Sequence, residues 1–186
     1  MEMKTMSQSS WKNFLYPILT PEQGQSKANY PRLAVVGIGN EFNGDDAAGV
    51  LVARNLGRRE CACDAQHVLV IEAGQAPENI TADLRRFQPL VVILVDAAQI
   101  DATPGTITWI PWESTSGMSA SSHSLPLAML ARYLTLEFGC IVHLLGIQPA
   151  QNAPFSPVSL AVSDAVNEIC ETFCQSLFLA QSSHAG

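Results

Sequence analysis

Apolar positions along the chain fall into short continuous blocks, separated by segments in which apolar residues recur at helical spacing. Arg32–Gly37, His67–Glu72, Leu90–Val95 and Ile141–Ile147 are such blocks, rich in Val, Ile and Leu. Runs of that length predict strands buried on both faces of a parallel sheet. Thr106–Trp112 follows a Pro104-Gly105 turn and predicts another strand, for which an antiparallel setting is open. Helical spacing predicts helices over about Asp46–Leu56, Glu78–Phe87, Ser124–Phe138 and Val158–Leu179. Gly57 and Gly139 mark stops, and Ser124 with Pro126 marks a start.

Strands alternating with helices imply an α/β fold. The expectation is a single-domain three-layer sandwich: a twisted, mostly parallel five-stranded sheet with helices on both faces. It spans residues 31–180, followed by a tail over 181–186. Residues 1–30 read as a loosely packed, flexible extension, because Pro17 interrupts the amphiphilic stretch Trp11–Leu19.

Composition narrows the class. Of the 186 residues, 47% are hydrophobic and only 15% charged, enough for one sizeable core. The net charge of −7 argues against a nucleic-acid or anionic-membrane partner. No apolar run reaches membrane-spanning length, and the N-terminus lacks a signal core, so the cytoplasm is the expected location. Cys61, Cys63, Cys140, Cys170 and Cys174 have poor spacing for zinc and read as reduced thiols.

Three polar residues lie just beyond apolar blocks: Asp46 after RLAVVGIGN, Asp96 after VVILV, and His123 in SSHSLP. In an open parallel sheet, ligands bind beyond the carboxyl ends of the strands. Two carboxylates and an imidazole gathered there make an oxygen/nitrogen site for a divalent transition metal. Simpler roles compete. Asp45 and Asp46 open a helix, where one of them suffices as a cap. Asp96 is harder to dismiss, since a carboxylate ending an apolar strand needs a hydrogen-bond partner, a cation or solvent. Gly37-Ile38-Gly39-Asn40 hints at a dinucleotide turn, but Phe42 stands where the third glycine belongs, so a tight turn of small residues explains it better.

Taken in order, GIGNEFNGDDAAG, EAGQAPEN, VVILVDAA, SSHSLPLAMLARYL and LLGIQP resemble the hydrogenase maturation endopeptidases, over roughly Arg32–Phe178. These process the large subunit of NiFe hydrogenases. SHSLPL and LLGIQP look closest to the branch serving formate-hydrogenlyase-type enzymes. The resemblance implies an aspartic-type endopeptidase that works as a monomer. It implies Asp46, Asp96 and His123 as metal ligands. It implies a large-subunit precursor as substrate, cleaved at a C-terminal extension once nickel is in place. The nickel is then carried by the substrate, and other divalent ions can substitute. Asp46, with Asp45 as a second candidate, is expected to help activate water, and Gly39, Asn40 and Gly74 to line the substrate.

Two features depart from the family pattern. Residues 41–44, Glu-Phe-Asn-Gly, are more polar than expected, so Glu41 is either an added acidic group near the site or a solvated one. The N-terminal arm has no recognised counterpart. Rival readings are a non-catalytic nickel-binding chaperone, a triad that is purely structural, and a peptidyl-tRNA hydrolase-like esterase. The last is disfavoured by the acidic charge and by DDAAG where its histidine belongs.

Overall fold

The computed structural model describes residues 10–19, 31–59, 66–112 and 124–182. Its elements are α1 (Ser10–Leu19), β1 (Leu33–Ile38), a 3-10 turn (Gly44–Ala47) running into α2 (Ala48–Gly57), and β2 (Val68–Gly74). A second 3-10 turn (Pro77–Ile80) leads into α3 (Thr81–Phe87), followed by β3 (Val91–Ala97), β4 (Ile107–Ile110), α4 (Ser124–Phe138), β5 (Ile141–Ile147) and α5 (Leu160–Ser182).

The five strands form one sheet in the order β2-β1-β3-β5-β4. β1 pairs with β2 and β3, and β3 with β5, all parallel, while β4 runs antiparallel to β5 at the edge. Alternate residues of the strands feed opposite faces, as the pleat requires. Leu33, Val35, Val91, Ile93, Val95, Leu145 and Ile147 are buried beneath α1, α2 and α5. Ala34, Val36, Val92, Leu94, Val142 and Leu144 are buried with Leu84 of α3 and Leu134 of α4. The expected three-layer α/β sandwich is therefore the observed one.

Close backbone approach sets the height of α2 above the sheet. A methyl group on Gly37 of β1 would overlap the Gly49 carbonyl of α2, and one on Gly49 would overlap the carbonyls of Val95 and Ile38. Glycine at both positions lets the start of α2 rest directly on the ends of β1 and β3. The 3-10 turn before α2, which carries Asp45 and Asp46, is thereby held over the carboxyl edge of the sheet.

Residues 10–19 depart from the expected loose arm. They form α1, which buries Trp11, Leu15 and Leu19 at 2%, 0% and 5% exposure, so it belongs to the core. The spacing of four residues puts all three on one face. The Trp109 indole donates to the Trp11 carbonyl at 2.9 Å, and Phe14 packs against both Trp109 and His143 with ring centroids 5.4 Å apart. Pro17 argues for a break, yet it falls in the last turn, where the buried face outweighs its cost. The thiols also depart in part from expectation. Cys140 and Cys170 are free and buried, but Cys174 is disulfide-bonded.

Candidate functional site

The site is built on the turn between β1 and α2. Gly39 adopts φ +134, and a methyl group there would overlap the Asp46 carbonyl, so only glycine fits. The Gly39 N–H donates to the Gly74 carbonyl at 3.0 Å, tying this turn to the end of β2. The Asn40 N–H donates to the Asp46 carbonyl at 3.1 Å, and the Asn40 side-chain oxygen accepts from the Phe42 N–H at 3.0 Å. Gly39, Asn40 and Gly74 thus come together, along one wall of a cleft of about 200 Å³. Asn40 in addition folds the turn through its own side chain.

Asp45 and Asp46 are adjacent in sequence and opposite in circumstance. Asp45 is fully buried. Its Oδ1 accepts from the Ser159 N–H at 2.6 Å. Its Oδ2 accepts from the Ala150 N–H at 2.7 Å, the Gln151 N–H at 3.0 Å and the Ser159 hydroxyl at 2.9 Å. Burial pushes its carboxyl up, but the hydrogen bonds from Ser159, Ala150 and Gln151 outweigh that and hold it below the usual range. With both oxygens so engaged, Asp45 is a clasp between the first turn and the loop before α5. For the same reason Asp45 is the weaker of the two candidates for activating water. The expectation of a cap is corrected, because neither the 3-10 turn nor α2 has a side-chain cap.

Asp46 is half-buried, and its charge reaches Asp96 at the carboxyl end of β3. Asp96 pairs in register with Gly146 of β5 and is 6% exposed. Burial first, and the negative charge of Asp46 second, push the Asp96 carboxyl up to about 7, against a hydrogen bond from the Ala97 backbone. A carboxylate that is buried and feels a second negative charge carries two penalties, and a divalent cation held between the two removes both. His123 lies outside the described residues. Among the described residues no three His, Cys, Asp or Glu side chains converge as a metal-holding group, so Asp46 and Asp96 are a pair.

Residues that the sequence did not single out complete the surroundings. Arg54 of α2 donates from Nη1 to Glu41 at 2.6 Å, and from Nε and Nη2 to Glu72 at 3.0 and 2.7 Å. Hydrogen bonding and the charge of Arg54 hold the Glu41 carboxyl low. Glu41 is therefore ion-paired on the wall of the cleft. Gln148, 3% exposed, organises the loop after Asp96. Its Oε1 accepts from the N–H groups of Ile100 and Ala102, and its Nε2 donates to Gln99 and to the Pro149 carbonyl. The LLGIQP motif was the available signal for Gln148. Nothing local pointed to Arg54 or Ser159, whose partners are distant in sequence.

The chain is an α/β protein with a mostly parallel sheet, and Asp96 stands at the carboxyl edge where such sheets bind ligands. Comparison with known proteins gives the class more closely. The HycI family model, described as hydrogenase maturation protease, matches residues 50–176, a span that holds Asp96 and His123 and begins just after Asp46. The chain is 32% identical over 133 residues to the hydrogenase 3 maturation protease of Escherichia coli K12, covering 71% of this chain and 82% of that one. The crystal structure of the NiFe hydrogenase maturation protease HycI from Thermococcus kodakarensis superposes with a TM-score of 0.76 at 28% identity, over 89% of this chain and 99% of that one. The solution structure of the endopeptidase HycI from Escherichia coli gives 0.65 at 31% identity, over 75% and 86%. The chain belongs to the hydrogenase maturation protease family.

Proposed function

We propose that this peptidase removes the C-terminal extension from the large-subunit precursor of a NiFe hydrogenase after nickel insertion. Asp46, Asp96 and His123 hold the nickel that the client carries. Family membership supports the reaction class. One observation carries the site: Asp96 is buried within electrostatic reach of Asp46, with no cation partner among the described residues, at the edge where open α/β sheets bind ligands.

Two carboxylates and an imidazole suit nickel at moderate affinity, and other divalent ions can take the same ligands. A weak, open ligand set is what a client-borne metal needs, since the ion leaves with the product. Holding the ion fixes the client, and so brings its scissile bond to a set place along the cleft lined by Gly39, Asn40 and Gly74. Asp46, half-buried, accepts a proton from the attacking water. The water oxygen bonds to the carbonyl carbon, the C–N bond breaks, and the proton passes to the leaving amine. The reading places this reaction on a monomer in the cytoplasm. Among the described residues, no helix is long and apolar enough to cross a membrane.

The test is a processing assay on nickel-loaded and nickel-free precursor. The proposal expects cleavage of the loaded client only, and a loss of about a hundredfold or more with Asp46→Asn. Full activity of Asp46→Asn would remove the carboxylate from the chemistry, and equal cleavage of nickel-free precursor would remove the metal from recognition.

A further inference from the structure

Two aromatic side chains stand in the open beside the candidate site. Phe42 is 63% and Phe155 86% exposed, with ring centroids 6.5 Å apart at an angle of 56°. Lone exposed apolar residues need no explanation. These two differ in how firmly their backbones are held. Phe42 belongs to the turn that carries Asp46 and lines the same cleft as Gly39, Asn40 and Gly74. Phe155 belongs to the loop between β5 and α5.

The two segments are locked together. The Phe155 N–H donates to the Phe42 carbonyl and the Asp45 N–H to the Gln151 carbonyl. The Asp45 carboxylate takes Ala150, Gln151 and Ser159. Gly44, at φ +56, sits so close to Ser156 that a methyl group would overlap the hydroxyl. Phe155 itself adopts φ +58, a conformation costing a non-glycine residue about 1 kcal/mol, yet its ring gains little burial in return. The result is a rigid apolar pair continuous with the candidate cleft.

We infer that Phe42 and Phe155 are a second anchor for the client, gripping an apolar residue of its C-terminal extension. This rests on the function proposed above. Nickel held at Asp46 and Asp96 fixes the client at one point, about which the peptide is free to swing. A contact beyond the scissile bond removes that freedom and aligns the bond with Asp46. Phe42 shares the cleft with Gly74, where an added side chain would meet nothing within 4 Å, so an extended backbone has room there. Two aromatic faces favour an apolar occupant, and the charges on the cleft wall are already paired with one another, Arg54 with Glu41 and Glu72.

The test is steady-state processing of nickel-loaded precursor by wild type, by the pair Phe42→Ser/Phe155→Ser, and by the pair Phe42→Leu/Phe155→Leu. Both positions are exposed, so an unchanged Tm checks folding. The Ser pair is expected to raise KM about tenfold with kcat within about twofold, and the Leu pair to recover most of that loss. A synthetic peptide of the extension is expected to inhibit wild type and to inhibit the Ser pair at least about fivefold less well. An unchanged KM in the Ser pair, with normal cleavage by wild type, overturns the anchor and leaves the proposed function standing. Inhibition by the mature large subunit that is lost in the Ser pair overturns the extension as occupant. A wild type that does not cleave loaded precursor overturns both.

Discussion

Asp45 and Ser159, 114 positions apart, share two hydrogen bonds: the Ser159 N–H reaches Oδ1 at 2.6 Å and its hydroxyl reaches Oδ2 at 2.9 Å. The same hydroxyl accepts from the Val162 N–H at 3.4 Å, so the clasp also caps α5. One carboxylate therefore joins the turn holding Asp46 to the loop holding Phe155.

Replacing Asp45 should cost stability rather than chemistry. In Asp45→Asn an amide NH2 faces backbone donors in a fully buried place, at roughly 2–3 kcal/mol. For a chain of this length that is a Tm loss of about 5–10 °C by calorimetry. Below that temperature, kcat on loaded precursor is expected to stay within about threefold. Asp46→Asn should do the reverse, leaving Tm nearly unchanged and removing cleavage. Because the folded Asp45 carboxyl lies below its unfolded value, its contribution is full at neutral pH and is lost as pH falls through the acid range. Wild type and Asp45→Asn should thus converge in stability toward acid.

Asp96 carries the opposite sign. Its folded carboxyl, raised from 3.8 to about 7, favours the neutral form, so ionisation strains the metal-free protein increasingly as pH rises between those values. The full shift corresponds to roughly 4 kcal/mol, a ceiling that local relaxation lowers. Asp96→Asn is expected to gain stability over wild type as pH rises from 5 to 8, read as a widening Tm difference. The same variant should lose affinity for nickel-loaded client. A Tm difference independent of pH would contradict the placing of this carboxylate.

Gly39→Ala should disrupt the site from beneath. The added methyl group meets the Asp46 carbonyl, and φ +134 is closed to alanine. Relief requires the turn to move, at a cost of about 3 kcal/mol or more. The expected outcome is a Tm drop of about 6–12 °C together with loss of cleavage in whatever folds.

Trp11→Ala tests α1. Removing a 2% exposed indole should cost about 3–5 kcal/mol, detectable as a lower urea midpoint with an unchanged slope. A cost below about 0.5 kcal/mol would mean that α1 is not part of the core.

The sheet was readable because its strands are buried on both faces and so announce themselves as uninterrupted apolar blocks. Val91–Ala97 and Ile141–Ile147 fall within one or two residues of the blocks that predict them. The position of Asp96 at a strand end was readable from the apolar block before it, and its burial there is a finding of the fold. The division of labour between Asp45 and Asp46 was not readable, because it depends on Ala150, Gln151 and Ser159, more than a hundred residues away. Pro17 concealed α1 because burial of Trp11, Leu15 and Leu19 is a tertiary fact that local propensity does not encode. Glu41 could be taken as a free acid or a solvated one. Its pairing with Arg54 brings α2 and the first turn together, which only the fold specifies.

The most direct measurement is anomalous diffraction at the nickel edge from a crystal of the protein soaked in a nickel salt. The account predicts one strong peak at the carboxyl edge of the sheet, within bonding distance of carboxylate oxygens of both Asp46 and Asp96, with His123 as the third protein ligand. A fully occupied nickel site elsewhere with nothing between Asp46 and Asp96, or a peak that survives in Asp96→Asn, would contradict it.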